Sequence, residues 1–387
     1  MKEIATFDVA VIGSGPSGAS AALQLAKKGI KAVIIEKETL PRYKTCGGGF
    51  VFRGRRNMPF DIASVVTREF NKIDLYFDKD NLHLTTERDE PIISMIMRDD
   101  FDNLIVEKAK EAGVILLEDH RLLDITFGNT NQLHTSKGIV EAKFIIAADG
   151  ALSRTAKITG WEETRNMIPA LEYEVEVSEE DFNRLSQEVR FDFDAVPLGY
   201  GWSFPKKNHL SIGVASVKRS KINLKQHYRD YLKTLGIDEI VSEDYHGFQI
   251  PISPRTDGFV RKNVFLVGDA AGFADPITAE GISNAILTGV MAANAIIDSN
   301  LDSQMAADLY QKELEKVVLP ELKSGLYLSK VFYEQEKVRT FLMKKFGNHF
   351  VEAMTDLFMG ERSYPVNIKE SIKKKLKGML VDALSKK

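Results

Sequence analysis

The amino-acid sequence predicts an α/β chain, α+β overall. Its expected centre is a parallel sheet wound with helices, joined by a strand-rich part and followed by a helical C-terminal region. Three observations predict this. The chain opens with a strand, a glycine-rich turn, a helix and a second strand; buried-type strands return near residues 144 and 264; and the stretches between them read as short strands separated by polar turns.

The elements follow in order. Asp8 to Ile12 is a short apolar run rich in Val and Ile, as a buried parallel strand should be. Ala19 to Lys28 is rich in Ala and Leu and stops at Gly29, a helix with a glycine end. Ala32 to Ile35 is the second buried strand and completes a βαβ unit. Ile73–Asp78, Asn81–Thr86 and Ile92–Met97 read as strands. A helix follows from Asp99 to Ala112, with Phe101, Leu104, Ile105 and Ala109 on one face. Val114–Leu117 and Phe144–Ala148 read as further strands, and a second strand-rich stretch runs from Ala170 to Val217. Val264–Val267 returns to the buried pattern ahead of an Ala-rich helix from about Gly281, and the last 85 or so residues read as mostly helical.

Composition sets outer limits. Of 387 residues, 44% are hydrophobic and 28% charged, which supports a large core, and a net charge of −3 gives no basic field to recruit nucleic acid. Cys46 is the single cysteine, so no internal disulfide forms, and no metal site is expected. Met1 to Phe7 lacks the apolar run of a secretion signal, and no uncharged apolar stretch approaches the roughly 20 residues that span a bilayer. A cytoplasmic protein is expected, with any membrane contact peripheral.

Gly13-Ser14-Gly15-Pro16-Ser17-Gly18 is a GxGxxG turn lying between a buried strand and a helix, and Glu36 closes the next strand. Gly13 permits the tight turn, Gly15 lets a pyrophosphate approach the backbone, and Gly18 lets the helix pack on the strand. The helix N-terminus directs donors and positive dipole at phosphate. The Glu36 carboxylate, followed by Lys37, accepts from ribose hydroxyls and disfavours a 2′-phosphate, so the turn suits FAD or NAD and not NADP. Asp149-Gly150 and Gly268-Asp269-Ala270-Ala271-Gly272 each follow a buried strand directly. They place a short acid at the carboxyl end of a strand, where ligands of open α/β sheets bind, with room for a large cofactor. Gly281-Ile282 opens a helix whose N-terminus can stabilise negative charge on a reduced ring.

These features imply a discontinuous Rossmann-type nucleotide domain, residues 1–50, 98–165 and 255–300. Residues 51–97 and 166–254 are expected to form a substrate-binding sheet domain and residues 301–387 a helical region, with the site between the first two.

GSGPSG with Glu36, Asp149-Gly150, and GDAAG followed by Pro276 and Glu280-Gly281-Ile282 together resemble the flavoprotein class of p-hydroxybenzoate hydroxylase, over most of the first 300 residues. The resemblance implies FAD, with Arg98 at its helix start contacting the cofactor. Two further stretches, Pro41-Arg42-Tyr43-Lys44-Thr45-Cys46-Gly47-Gly48-Gly49 and Tyr200-Gly201-Trp202-Ser203-Phe204-Pro205-Lys206, resemble the geranylgeranyl reductase family. That family saturates double bonds of polyprenyl chains with reduced FAD, so an apolar isoprenoid or lipid-like substrate is implied. Ala279 stands where the family often has glycine, which is expected to tighten the space beside the ring.

The residues themselves read more loosely. Glycines 47 to 49 suit a loop passing close over a flat ring. Tyr200, Trp202 and Phe204 share one face of a strand and either wall an apolar slot or fill a core. Cys46 is a packing residue, a flavin contact or, like Tyr200, a proton donor. Lys206 reads as a solvated turn charge. No second GxGxxG follows a strand, so the electron donor is either transient NAD(P)H or a protein carrier. Ser371 to Leu384 reads as a basic amphipathic helix, packed on its own protein or lying on an anionic membrane. Two other functions remain open: an FAD monooxygenase or halogenase acting on an aromatic or polyketide, and a non-catalytic flavin-binding protein. Tyr200 and Phe204 replace the Trp and Ile of the related halogenase segment.

Overall fold

A computed structural model describes residues 5–218 and 221–365. The segment Ser371–Leu384 lies outside the described residues.

The first strand spans Ala5–Ile12 and pairs in parallel on one side with Ala32–Ile35 and on the other with Gly138–Ala147. Parallel pairing continues outward to Ile115–Leu117 at one flank and Val264–Leu266 at the other. The central strands are buried on both faces, which is why they read as unbroken Val, Ile and Ala runs. The sheet has eight strands among the described residues, the others being the edge strand Val260–Arg261 and an antiparallel hairpin, Leu122–Thr126 with Asn131–Thr135. That hairpin was not expected. Its residues, LLDIT and NQLHT, alternate too weakly to separate it from loop.

Helices cover the sheet. Pro16–Lys27 follows the glycine turn, with Pro16 at the first helical position, where its missing N–H costs nothing. It packs against Ile282–Asp298 so closely that a Cβ on Gly289 would sit 2.1 Å from the Ser17 carbonyl oxygen. Arg98–Glu111 lies against the same first helix, with Phe101, Ile105 and Ala109 buried as expected and Leu104 only partly so.

A seven-stranded sheet, antiparallel but for one pair, stands apart from the parallel one. Its order runs from Ile240–Pro251 through Met167–Val177, Leu210–Ser216, Gly199–Pro205, Arg190–Asp192 and Lys72–Phe77 to Leu82–Glu87. A small three-stranded sheet, Gly49–Val51, Ile93–Ile96 and Val66–Phe70, joins the glycine loop to the helix at Arg98. The helices Ser303–Glu313, Leu319–Glu334 and Glu336–Met359 follow, the last two packing into the aromatic core of the antiparallel sheet through Phe332, Tyr333, Met343 and Phe358. Glu179–Leu185 is a helix inside the stretch that reads as strands, and Leu224–Thr234 is a helix beyond it, within residues 166–254.

Candidate functional site

One cavity of about 710 Å³ runs between the carboxyl end of the parallel sheet and one face of the seven-stranded sheet, a size ordinary for a ligand site. At its first end lies the glycine turn. Gly13 has φ +100°, and a Cβ on Gly18 would fall 2.0 Å from the Gly13 carbonyl oxygen, so helix and strand meet only without side chains there. Gly15 caps the helix Pro16–Lys27 and lines the cavity, with Pro16 and Ser17 in its first turn. Two guanidinium groups face it: those of Arg98 and Arg42 lie 3.8 and 3.9 Å from where a Gly15 Cβ would stand. Buried Asp102 aims both, accepting from Arg98 at 2.8 Å through each of its oxygens and from Arg42 at 3.1 Å. Arg42 was not singled out in the sequence.

Glu36 is buried at the strand end. Its carboxylate accepts from the Ser14 amide (2.9 Å), the Ser14 hydroxyl (2.6 Å) and the Glu38 amide (3.1 Å). Burial opposes its charge, but these bonds and the nearby Arg42 hold its pKa below the usual range. Lys37 sits at the cavity rim, 57% exposed and beside Glu38.

The two strand-end acids differ. Asp149 spends its carboxylate on its own loop, accepting from Ser153 Oγ (2.5 Å), the Thr155 amide (2.9 Å) and Thr155 Oγ1 (2.8 Å), so it fixes the start of the helix Arg154–Thr159; with Gly150 it borders the cavity. Asp269 lines the cavity just after Gly268, and no donor among the described residues reaches its carboxylate. Desolvation raises its pKa against the pull of Lys44, Arg98 and Arg165. Gly281 caps the helix that begins at Ile282, and both residues line the cavity. Ala279, also in the lining, has φ +56°, a left-handed conformation that an L side chain adopts at a cost.

The far end is the aromatic wall. Tyr200, Trp202 and Phe204 project from the strand Gly199–Pro205 into the cavity, joined by Phe191. The Tyr200 hydroxyl donates to the Thr278 carbonyl (2.6 Å), so its hydrogen is engaged by backbone, and burial pushes its pKa up. The glycine loop packs on this wall: a Cβ on Gly47 would lie 2.9 Å from Trp202 Nε1, and one on Gly49 would lie 3.1 Å from the Phe204 ring. Gly48 has φ +66°. Cys46 lines the cavity, and its sulfur accepts from the Gly48 amide at 3.4 Å.

Lys206 overturns its sequence reading. It has no exposed surface, and its ammonium donates to the carbonyls of Gly47 (2.6 Å) and Ile96 (3.0 Å). The reason is tertiary: the turn that carries it is covered by the glycine loop and the small sheet.

Residues 6–317 match the FAD binding domain family. The chloroplastic geranylgeranyl diphosphate reductase of Arabidopsis thaliana is 30% identical over 94% of this chain and 83% of its own. A digeranylgeranylglycerophospholipid reductase of Methanothrix thermoacetophila is 26% identical over 84% of this chain and 87% of its own. A geranylgeranyl bacteriochlorophyll reductase-like protein of Thermoplasma acidophilum shares the fold, with a TM-score of 0.74 and 24% identity over 96% of each chain. The chain belongs to the geranylgeranyl reductase family of FAD-binding flavoproteins.

As a member of that family it is an FAD-dependent oxidoreductase. Its cavity fits the cofactor on its own terms. The glycine turn is a cradle that side chains would fill, two guanidinium groups stand where a pyrophosphate's charge would be met, and the free Asp269 carboxylate suits a ribityl hydroxyl. Four lining or supporting residues escaped the sequence reading: Arg42, Lys44, Glu172 and Lys206. The first, second and last stand inside the quoted motifs, but nothing in a linear pattern shows which way a cation turns. Among the described residues no helix is long and apolar enough to cross a membrane.

Proposed function

We propose that the protein reduces carbon–carbon double bonds of an isoprenoid chain, free or carried on a lipid. The aromatic wall carries this reading. Tyr200, Trp202, Phe204 and Phe191 present ring faces and edges to the cavity, a surface suited to branched hydrocarbon and offering few hydrogen bonds to a polar substrate. Bound FAD in its reduced form supplies the hydride.

The protein's part is position and dryness. Gly13, Gly15 and Gly18, with Arg42, Arg98 and the helix start at Pro16 and Ser17, hold the pyrophosphate. Glu36, with Lys37 at the rim, meets the adenosine ribose. Asp269 takes a ribityl hydroxyl, whereas Asp149 and Gly150 shape the loop beside it. The N-terminus at Gly281 and Ile282 faces the ring, and Cys46 to Gly48 close over the space between ring and wall. An isolated alkene accepts hydride poorly, so excluding water and placing a proton decide the rate. The electron donor is transient NAD(P)H or a protein carrier. A lipid-borne substrate brings peripheral membrane contact with it.

The test is anaerobic. Reduced protein is mixed with geranylgeranyl diphosphate or a geranylgeranylated glycerolipid, and the product mass is followed. A gain of two hydrogens per double bond is expected. No gain with either chain, together with oxygen-dependent hydroxylation of an added substrate, would overturn the reading.

A further inference from the structure

Glu172 and Glu174 stand two residues apart on the strand Met167–Val177 and so share a face. Glu172 is 1% exposed and lines the cavity where the glycine loop meets the aromatic wall. One oxygen accepts from Ser211 Oγ (2.8 Å), whose own oxygen faces the Trp202 indole N–H at 3.5 Å; the other accepts from the Cys46 amide (2.8 Å). Glu174 is paired with His209 Nε2 at 2.9 Å, and the His209 ring is partly exposed. His209, Glu174 and Glu172 thus follow one another from solvent to the cavity, the last two on one strand face and close enough to feel each other's charge. The other titratable groups that face Glu172 are Lys206, Cys46 and Tyr43, with His246 opposite it on the neighbouring strand.

We propose that Glu172 is the acid that protonates the alkene, and that Glu174 and His209 return its proton from solvent. One alkene carbon gains a hydride from reduced FAD, which loses two electrons. In the acid form the Ser211 hydroxyl turns and the oxygen beside it carries the proton; that O–H bond breaks as a C–H bond forms at the other carbon, leaving a carboxylate whose two oxygens accept from Ser211 and the Cys46 amide. Of the two other candidates at the cavity, the Tyr200 hydrogen is given to the Thr278 carbonyl, and the Cys46 sulfur accepts from the Gly48 amide. Burial, helped by the charge on Glu174, raises the Glu172 pKa to about 7, so this carboxyl holds a proton where an ordinary glutamate has lost it. This assignment rests on the alkene-reduction reading above.

Glu172→Gln tests it. The amide oxygen still accepts from the Cys46 amide, and the NH₂ meets Ser211 once that hydroxyl turns, so the loop keeps its anchor. The first readout needs no turnover. Infrared titration of the protein should show a protonated carboxyl lost with a midpoint near 7 in the parent and absent from E172Q; a parent with no such group overturns the proposal. In anaerobic single turnover, E172Q with full FAD content should reduce prenyl chains more slowly by about 100-fold or more. Its rate should also lack the fall with rising pH through 7 that the parent shows. Unchanged rate and pH profile in E172Q overturn the proposal alone. A parent that reduces no prenyl chain overturns the substrate reading and this step with it.

Discussion

Lys206 shows what a single buried charge does here. Its ammonium is bound by two backbone carbonyls, one from the glycine loop and one from the strand Ile93–Ile96, with Glu172 and Glu174 near enough to attract it. Burial lowers its pKa, and those acids work the other way. Lys206→Met keeps the volume but strands both carbonyls and removes the cation that Glu174, and Glu172 when charged, attract. A loss of about 2–4 kcal/mol is expected from two buried acceptors and a broken charge contact. Denaturant unfolding measures it, and faster amide exchange at Cys46 and Gly48 should localise it to the loop. Full stability in the variant would mean that the loop does not depend on this anchor. The sequence offered no sign of this role, because a lysine after proline at a strand end is solvated unless distant chain covers it. Glu172 was hidden in the same way: in LEYEVEV it reads as one polar position of an alternating strand, and only the fold shows that this strand turns that face to a cavity.

At the scale of elements, the opening βαβ unit was legible in kind, because the glycine turn, an Ala- and Leu-rich run and two short Val- and Ile-rich runs point to one local structure, though the helix starts at Pro16 and not at Ala19. The hairpin Leu122–Thr126 with Asn131–Thr135 was not, since its residues alternate weakly and what stabilises it is the sheet it extends. The loop before the helix Ile282–Asp298 is the instructive case. Asp275 organises it by accepting from the amides of Ile277 and Thr278 and from the Thr278 hydroxyl, and Glu280, just before the cap at Gly281, accepts from the Ser283 amide in the first turn. Within this tight set Ala279 must take φ +56°. The departure from glycine was visible in sequence as crowding; the structure shows it as backbone strain. Ala279→Gly should remove roughly 1 kcal/mol of that strain, less what the freer unfolded chain gains. A small rise in unfolding midpoint with unchanged FAD content is expected, and a fall would show that the alanine methyl packs more usefully than its backbone costs.

Across the whole molecule, the cavity is built from distant parts of the chain. Its lining comes from the carboxyl ends of the parallel strands, the glycine loop, the aromatic strand and the start of the helix Ile282–Asp298. Partly buried Arg53 ties the same region to the C-terminal helices, pairing with Glu280 at 3.3 Å and Glu321 at 3.2 Å, while Tyr364 reaches Asp275 at 3.3 Å. A ligand that fills such a cavity binds the folded chain and has nothing to hold in the unfolded one. FAD at a hundred times its dissociation constant should therefore stabilise the protein by about 2.7 kcal/mol. Flavin-stripped protein should unfold several degrees lower in a thermal scan, with a midpoint that climbs with the logarithm of added FAD. Asp269→Asn keeps the shape of the side chain but removes the charge that invites a ribityl hydroxyl, so its midpoint should lie close to the parent's without FAD and rise less with it. If the two proteins climb in parallel, Asp269 does not hold the cofactor. If neither climbs, FAD does not occupy this cavity.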